Sequence, residues 1–66
     1  MFRRYLQMDT DMLLSMVNMQ LRNHYANPAE LASAYGLELE RLEQRLMAAG
    51  YQYQPSQNQY RPESEG

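Results

Sequence analysis

In a chain of 66 residues any chemistry rests on few side chains, and here the reactive ones are sparse. His24 is the single histidine, cysteine and lysine are absent, and the serine hydroxyls are those of Ser15, Ser33, Ser56 and Ser64. Nucleophilic catalysis needs a hydroxyl or thiol beside a base that a third group orients. General acid–base catalysis needs titratable groups converging in a pocket. One imidazole at a predicted helix end supplies neither set; there it suits a solvated residue or a partner of the helix dipole. No thiolate zinc site is possible and no second imidazole exists for a metal. The expectation is a protein that is not an enzyme, with no catalytic residue, metal, cofactor or small-molecule ligand.

Two binding chemistries remain. Arg41, Gln44 and Arg45 are predicted on the exposed side of a third helix, where they would contact nucleic acid. Tyr51, Tyr53 and Tyr60 could stack on unpaired bases. Against this, Glu38, Glu40 and Glu43 sit on the same helix and would repel phosphate. Eight carboxylates outnumber six basic residues, giving a net charge of −2. A nucleic-acid surface usually carries the opposite balance. The arginines are explained more simply by pairing with Glu38 and its neighbours, and Tyr51 and Tyr53 as the core-facing side of a hairpin. The other chemistry is apolar. Met12, Met16 and Met19 fall within about 60° of one another on a helical wheel. They form either a patch that Phe2, Tyr5, Leu6 or the hairpin tyrosines cover, or a methionine-rich contact surface for a partner.

These side chains must be positioned by short elements. Asp9-Thr10-Asp11 opens a helix, because carboxylates accept the orphan backbone donors of a first turn. Met12 to about Tyr25 contains no Gly or Pro and continues it. Its stripe of Leu13, Leu14, Val17 and Leu21, with His24 and Tyr25 at the margin, opposes the methionines. Asn18, beside that stripe, either hydrogen-bonds across helices or faces water. Asn27-Pro28-Ala29-Glu30 is a second start signal with the form of a capping box, and Pro28 suits the first helical position. The second helix spans Pro28 to Tyr35 and Gly36 stops it. A third runs from about Glu38 to Ala49, with Leu39, Leu42, Leu46 and Ala49 as its core stripe, and ends at Gly50.

The pattern then alternates. Tyr51-Gln52-Tyr53-Gln54 suits a half-buried strand, Pro55 to Asn58 supplies turn residues, and Gln59-Tyr60-Arg61 returns as a second strand. Within Gln57-Asn58-Gln59-Tyr60, Asn58 serves the turn by tolerating the left-handed region rather than acting as a recognition tip. The fold class is therefore mainly α: a three-helix domain with a helix-turn-helix-like pair and a C-terminal β-hairpin, a winged-helix-like layout. Residues 1–8 form an N-terminal arm, 9–61 the single domain, and 62–66 a disordered tail.

Two resemblances accompany this reading. Leu31-Ala32-x-x-x-Gly36 followed by Leu42 resembles a helix-turn-helix, although Arg45 stands where that pattern prefers a hydrophobe and the next apolar residue is Leu46. More specific is Asp9-x-x-Met12-Leu13-Leu14-Ser15-x-Val17-Asn18-x-x-Leu21-Arg22, then Glu30-Leu31, Gly50-Tyr51-x-Tyr53 and Gln57-Asn58-Gln59-Tyr60. Over residues 8–61 it resembles the bacterial family known as domain of unknown function 4250, with Thr10 in place of a frequent proline. That resemblance implies a small fold in a bacterial cytoplasm and carries no catalytic residue.

A domain of this size buries only about 60% of its unfolded surface, so a partner chain is a natural source of stability. No apolar run approaches the roughly 20 residues of a membrane span, and none near Met1 resembles a secretory signal. The expected function is a non-catalytic protein-interaction module, homodimeric or docking on a larger protein, in the cytoplasm. The alternative is a winged-helix-like nucleic-acid-binding protein, which the charge disfavours.

Overall fold

A computed structural model describes residues 4, 5 and 7–63. Helix α1 spans Thr10–Asn23, α2 Pro28–Tyr35 and α3 Leu39–Ala48, followed by strands β1, Tyr51–Gln54, and β2, Gln59–Pro62. The chain is mainly α, three helices closed by an antiparallel hairpin, as its local signals predict.

Each helix end has an identifiable cause. The Asp9 carboxylate accepts from the backbone N–H groups of Asp11 at 3.2 Å and Met12 at 3.4 Å. Asn27 caps α2 by accepting from the Glu30 N–H at 2.9 Å. That is only half of the expected capping box: among the described residues no bond returns from the Glu30 carboxylate to Asn27. Pro28 follows the cap and Gly36 ends the helix at φ +69°, a conformation that costs glycine little. The Leu37 N–H then reaches back to the Ala32 carbonyl at 2.8 Å and the Gly36 N–H to that of Ser33 at 3.4 Å, the paired bonds that close a helix at a left-handed glycine. Helix α1 stops at Asn23, two residues short of the expected Tyr25, because the Tyr25 N–H bonds to the Gln20 carbonyl instead of continuing the helix.

Leu13, Val17 and Leu21 of α1, Leu31 of α2, Leu42 and Leu46 of α3, and Tyr60 of β2 form one buried cluster. The predicted α3 stripe holds at Leu42 and Leu46, with Leu39 half-buried, but Ala49 is exposed. It caps the helix rather than belonging to its last turn, so the helical periodicity no longer aims it at the core. Tyr5 and Met8 of the predicted arm pack against the same cluster. The Tyr5 hydroxyl accepts from the Glu38 N–H at 3.1 Å, a first-turn donor of α3 that no side-chain cap serves. The rest of the arm, residues 1–3 and 6, lies outside the described residues.

The hairpin register pairs Tyr51 with Pro62, Gln52 with Arg61, Tyr53 with Tyr60, and Gln54 with Gln59. Pro62 and Glu63 thus belong to the ordered ladder rather than to a tail, and the Glu63 N–H extends it by bonding to the Gly50 carbonyl at 2.9 Å. Of the predicted tail, residues 64–66 lie outside the described residues. An antiparallel ladder alternates residues that bond their partner with residues whose polar groups face away. The Gly50–Glu63 bond places Gln52, Gln54, Gln59 and Arg61 in the first set. Tyr51, Tyr53, Tyr60 and Pro62 fall in the second.

Candidate interaction surface

The hairpin is fastened to α1 by two asparagines. The Asn18 side chain acts as a missing strand: its Oδ1 accepts from the Tyr60 N–H at 2.8 Å and its Nδ2 donates to the Tyr60 carbonyl at 3.1 Å. The Gln59 side-chain amide donates to the Asn18 carbonyl at 2.9 Å. Asn58, at φ +52°, does serve the turn as predicted. It also donates from Nδ2 to the carbonyls of Leu21 and Tyr25, both at 2.9 Å, and accepts from the Tyr53 hydroxyl at 2.6 Å. The amides at 58 and 59 are therefore spent on the fold, and a recognition tip there would have to do without them.

Tyr51 and Tyr53, predicted as the core-facing side of the hairpin, take that place, and Tyr60 lies deeper still, in the core itself. Tyr60 is 2% exposed, its ring lies 5.3 Å from that of Tyr53, and Tyr51 and Tyr53 pack against the core. The Tyr60 hydroxyl donates to the Glu43 carboxylate at 3.0 Å. Burial first, and the charge of Glu43 second, hold its pKa well above the ordinary tyrosine value.

The candidate nucleic-acid contacts are divided. Arg41 and Gln44 are exposed and line a shallow surface groove with Glu38, Leu39 and Glu40. Arg41 is paired with Glu38 at 3.0 Å, both side chains largely in solvent, so the pair is worth about 0.3–0.5 kcal/mol or less. Arg45 does not share that exposed face. It is half-buried, and its guanidinium donates to the Met8 carbonyl. A long side chain predicted to point outward instead ties the N-terminal segment to α3, a contact invisible to helical periodicity.

The methionines also divide. Met12 and Met19, two turns apart on α1, are 57% and 46% exposed, whereas Met16 is half-buried against the core. Beside Met19 an open groove of about 390 Å³ runs between α1 and β2, lined by Leu14, Ser15, Asn18, Arg22, Asn23, Gln59 and Arg61. Arg22 and Arg61, 39 positions apart in sequence, meet at this groove. Sequence reasoning missed that juxtaposition, since nothing local to either arginine announces the register of β2 against α1. His24 stands exposed at the end of α1, and its ring contact is the edge of Tyr25, with centroids 6.3 Å apart.

In class, then, this is a mainly α domain of three helices with a hairpin pinned across α1. The family model described as Domain of unknown function (DUF4250) matches residues 7–60, and the chain belongs to that family. No curated protein and no solved structure matches it. Among the described residues no helix is long and apolar enough to cross a membrane.

Proposed function

We propose that this protein is a non-catalytic interaction module of the bacterial cytoplasm whose outer α1 face docks on a protein partner. One observation carries the reading: Met12 and Met19 stay 57% and 46% exposed on one face while seven other apolar side chains close a core. Large flexible thioethers in water are a common feature of adaptable contact surfaces. Arg22 at the adjoining groove favours a partner segment that pairs apolar residues with a carboxylate. The nucleic-acid alternative has less support, since Arg45 faces Met8, Tyr60 is in the core and Arg41 is already paired with Glu38.

The test is site-specific photo-crosslinking in cells. A photoreactive residue at position 12 or 19 is expected to yield the same discrete protein adduct, lost with Arg22→Glu, and absent from a probe at exposed Glu30. Met16 is a poor test position because a charge there would disturb the core as well as the surface. Absence of adducts at both positions, or saturable NMR shifts of Arg41 and Gln44 with duplex DNA at low salt, overturns the proposal.

A further inference from the structure

The two edges of the hairpin are treated differently. On β2 the outward N–H and carbonyl of Tyr60 are taken by Asn18, and the next outward position is Pro62, which has no N–H to offer. A blocked, proline-bearing edge cannot accept another strand. On β1 the outward residues are Tyr51 and Tyr53, and among the described residues no hydrogen bond ends on their outward backbone groups. The strand Tyr51-Gln52-Tyr53-Gln54 contains no proline and no charge. It thus lacks the devices by which an exposed edge usually refuses a partner, apart from being short.

We infer that β1 is a self-pairing edge, on which a second copy of this chain adds its own β1 antiparallel to form a four-stranded sheet. Self-complementarity selects this occupant. A two-fold axis through Gln52 sets Tyr51 of one copy opposite Tyr53 of the other. Both residues direct their polar groups outward, so the two pairs exchange four backbone hydrogen bonds. Gln52, exposed in the monomer, meets its own counterpart, and an uncharged strand sets no like charges across the axis. Because the axis stands perpendicular to the sheet, both helical layers lie on the same side. The helix that contacts β1 is α3, which carries Met47 at 59% exposure and so has apolar surface to offer its mate. This surface is separate from the α1 face, and the inference does not depend on the function proposed for that face.

Gln52 gives a clean test because its own N–H and carbonyl already serve β2, leaving only an exposed side chain to change. Sedimentation equilibrium of the full chain over about 0.01–1 mM, where small interfaces register, is expected to show a monomer–dimer equilibrium. Gln52→Lys is expected to weaken the dimer about fivefold or more at low salt, with the circular dichroism spectrum unchanged. Gln52→Glu is expected to do the same, and an equimolar mixture of the two variants to restore association as a heterodimer. A monomer at 1 mM overturns the inference. So does a dimer indifferent to both Gln52 variants but lost with Met12→Glu/Met19→Glu, which would move self-association to the α1 face.

Discussion

Changing Asn58 to aspartate would replace one amide nitrogen by oxygen and little else, yet the structure makes this a severe substitution. The Nδ2 group donates to the Leu21 and Tyr25 carbonyls at 2.9 Å each. An aspartate would direct a carboxylate oxygen at both carbonyls, beside the C-terminal end of α1 where the helix dipole is negative. Losing two hydrogen bonds costs about 1 kcal/mol each, and a misplaced anion at a helix C-terminus about 0.3–1 kcal/mol more. The Tyr53 hydroxyl keeps its acceptor and offsets part of this, leaving a net loss of about 2–3 kcal/mol. A domain of this length holds only about 3–10 kcal/mol in total, so the midpoint of thermal unfolding should fall by about 10–20 °C at pH 7. The sign with pH follows from the surroundings. Facing carbonyls raise the folded-state pKa of the introduced carboxyl above its unfolded value near 3.9. The penalty relative to wild type is therefore full at neutral pH and shrinks as pH falls through that raised pKa. Asn58→Gly, which tolerates the same positive φ without the anion, should lose about 2 kcal/mol at every pH. Paired urea melts of the three proteins from pH 3 to 8 decide the matter. An Asn58→Asp protein within about 0.5 kcal/mol of wild type, or a difference that ignores pH, would refute the view that Asn58 fastens the hairpin to α1.

Two further outcomes follow from the hairpin contacts. Asn18→Ala should cost about 2 kcal/mol and strip hydrogen-exchange protection from the Tyr60 amide, because both outward groups of Tyr60 lose their partner. Tyr60, whose folded-state pKa is raised by burial and by Glu43, contributes stability that is complete below about pH 10 and falls above it, by up to about 1.4 kcal/mol per pH unit; Tyr60→Phe should flatten that alkaline decline in urea melts at pH 9 to 11.

Much of the architecture was legible because it is written in local chemistry. Asp9, Asn27, Pro28, Gly36 and Gly50 each mark an end through interactions within a few residues. The stripe through Leu13, Val17 and Leu21 follows from helical geometry alone. What escaped is what depends on distant partners. Arg45 reads as solvent-facing until Met8 is brought beside it, and Pro62 reads as a breaker until the register places its nitrogen on the side that needs no donor. For Asn18 the expected alternatives, a bond to another helix or exposure to water, both miss its actual partner, since a polar residue beside an apolar stripe gives no hint that a strand backbone awaits it. The methionine face was split by the same cause, with Met16 drawn onto the core and its two neighbours left out.

The clasp between Asn18 and Tyr60 joins positions 42 residues apart, which has a consequence for the order of folding. Closing so long a loop costs entropy before any bond repays it, while each helix can flicker into place from neighbours alone. The isolated hairpin is too small to persist unaided. Its docking should come after the helices have gathered, with the amide of Asn18 waiting on α1 as the groove into which the last strand is zipped. Substitutions at Asn18 or Asn58 should then speed unfolding while leaving the rate of folding nearly untouched.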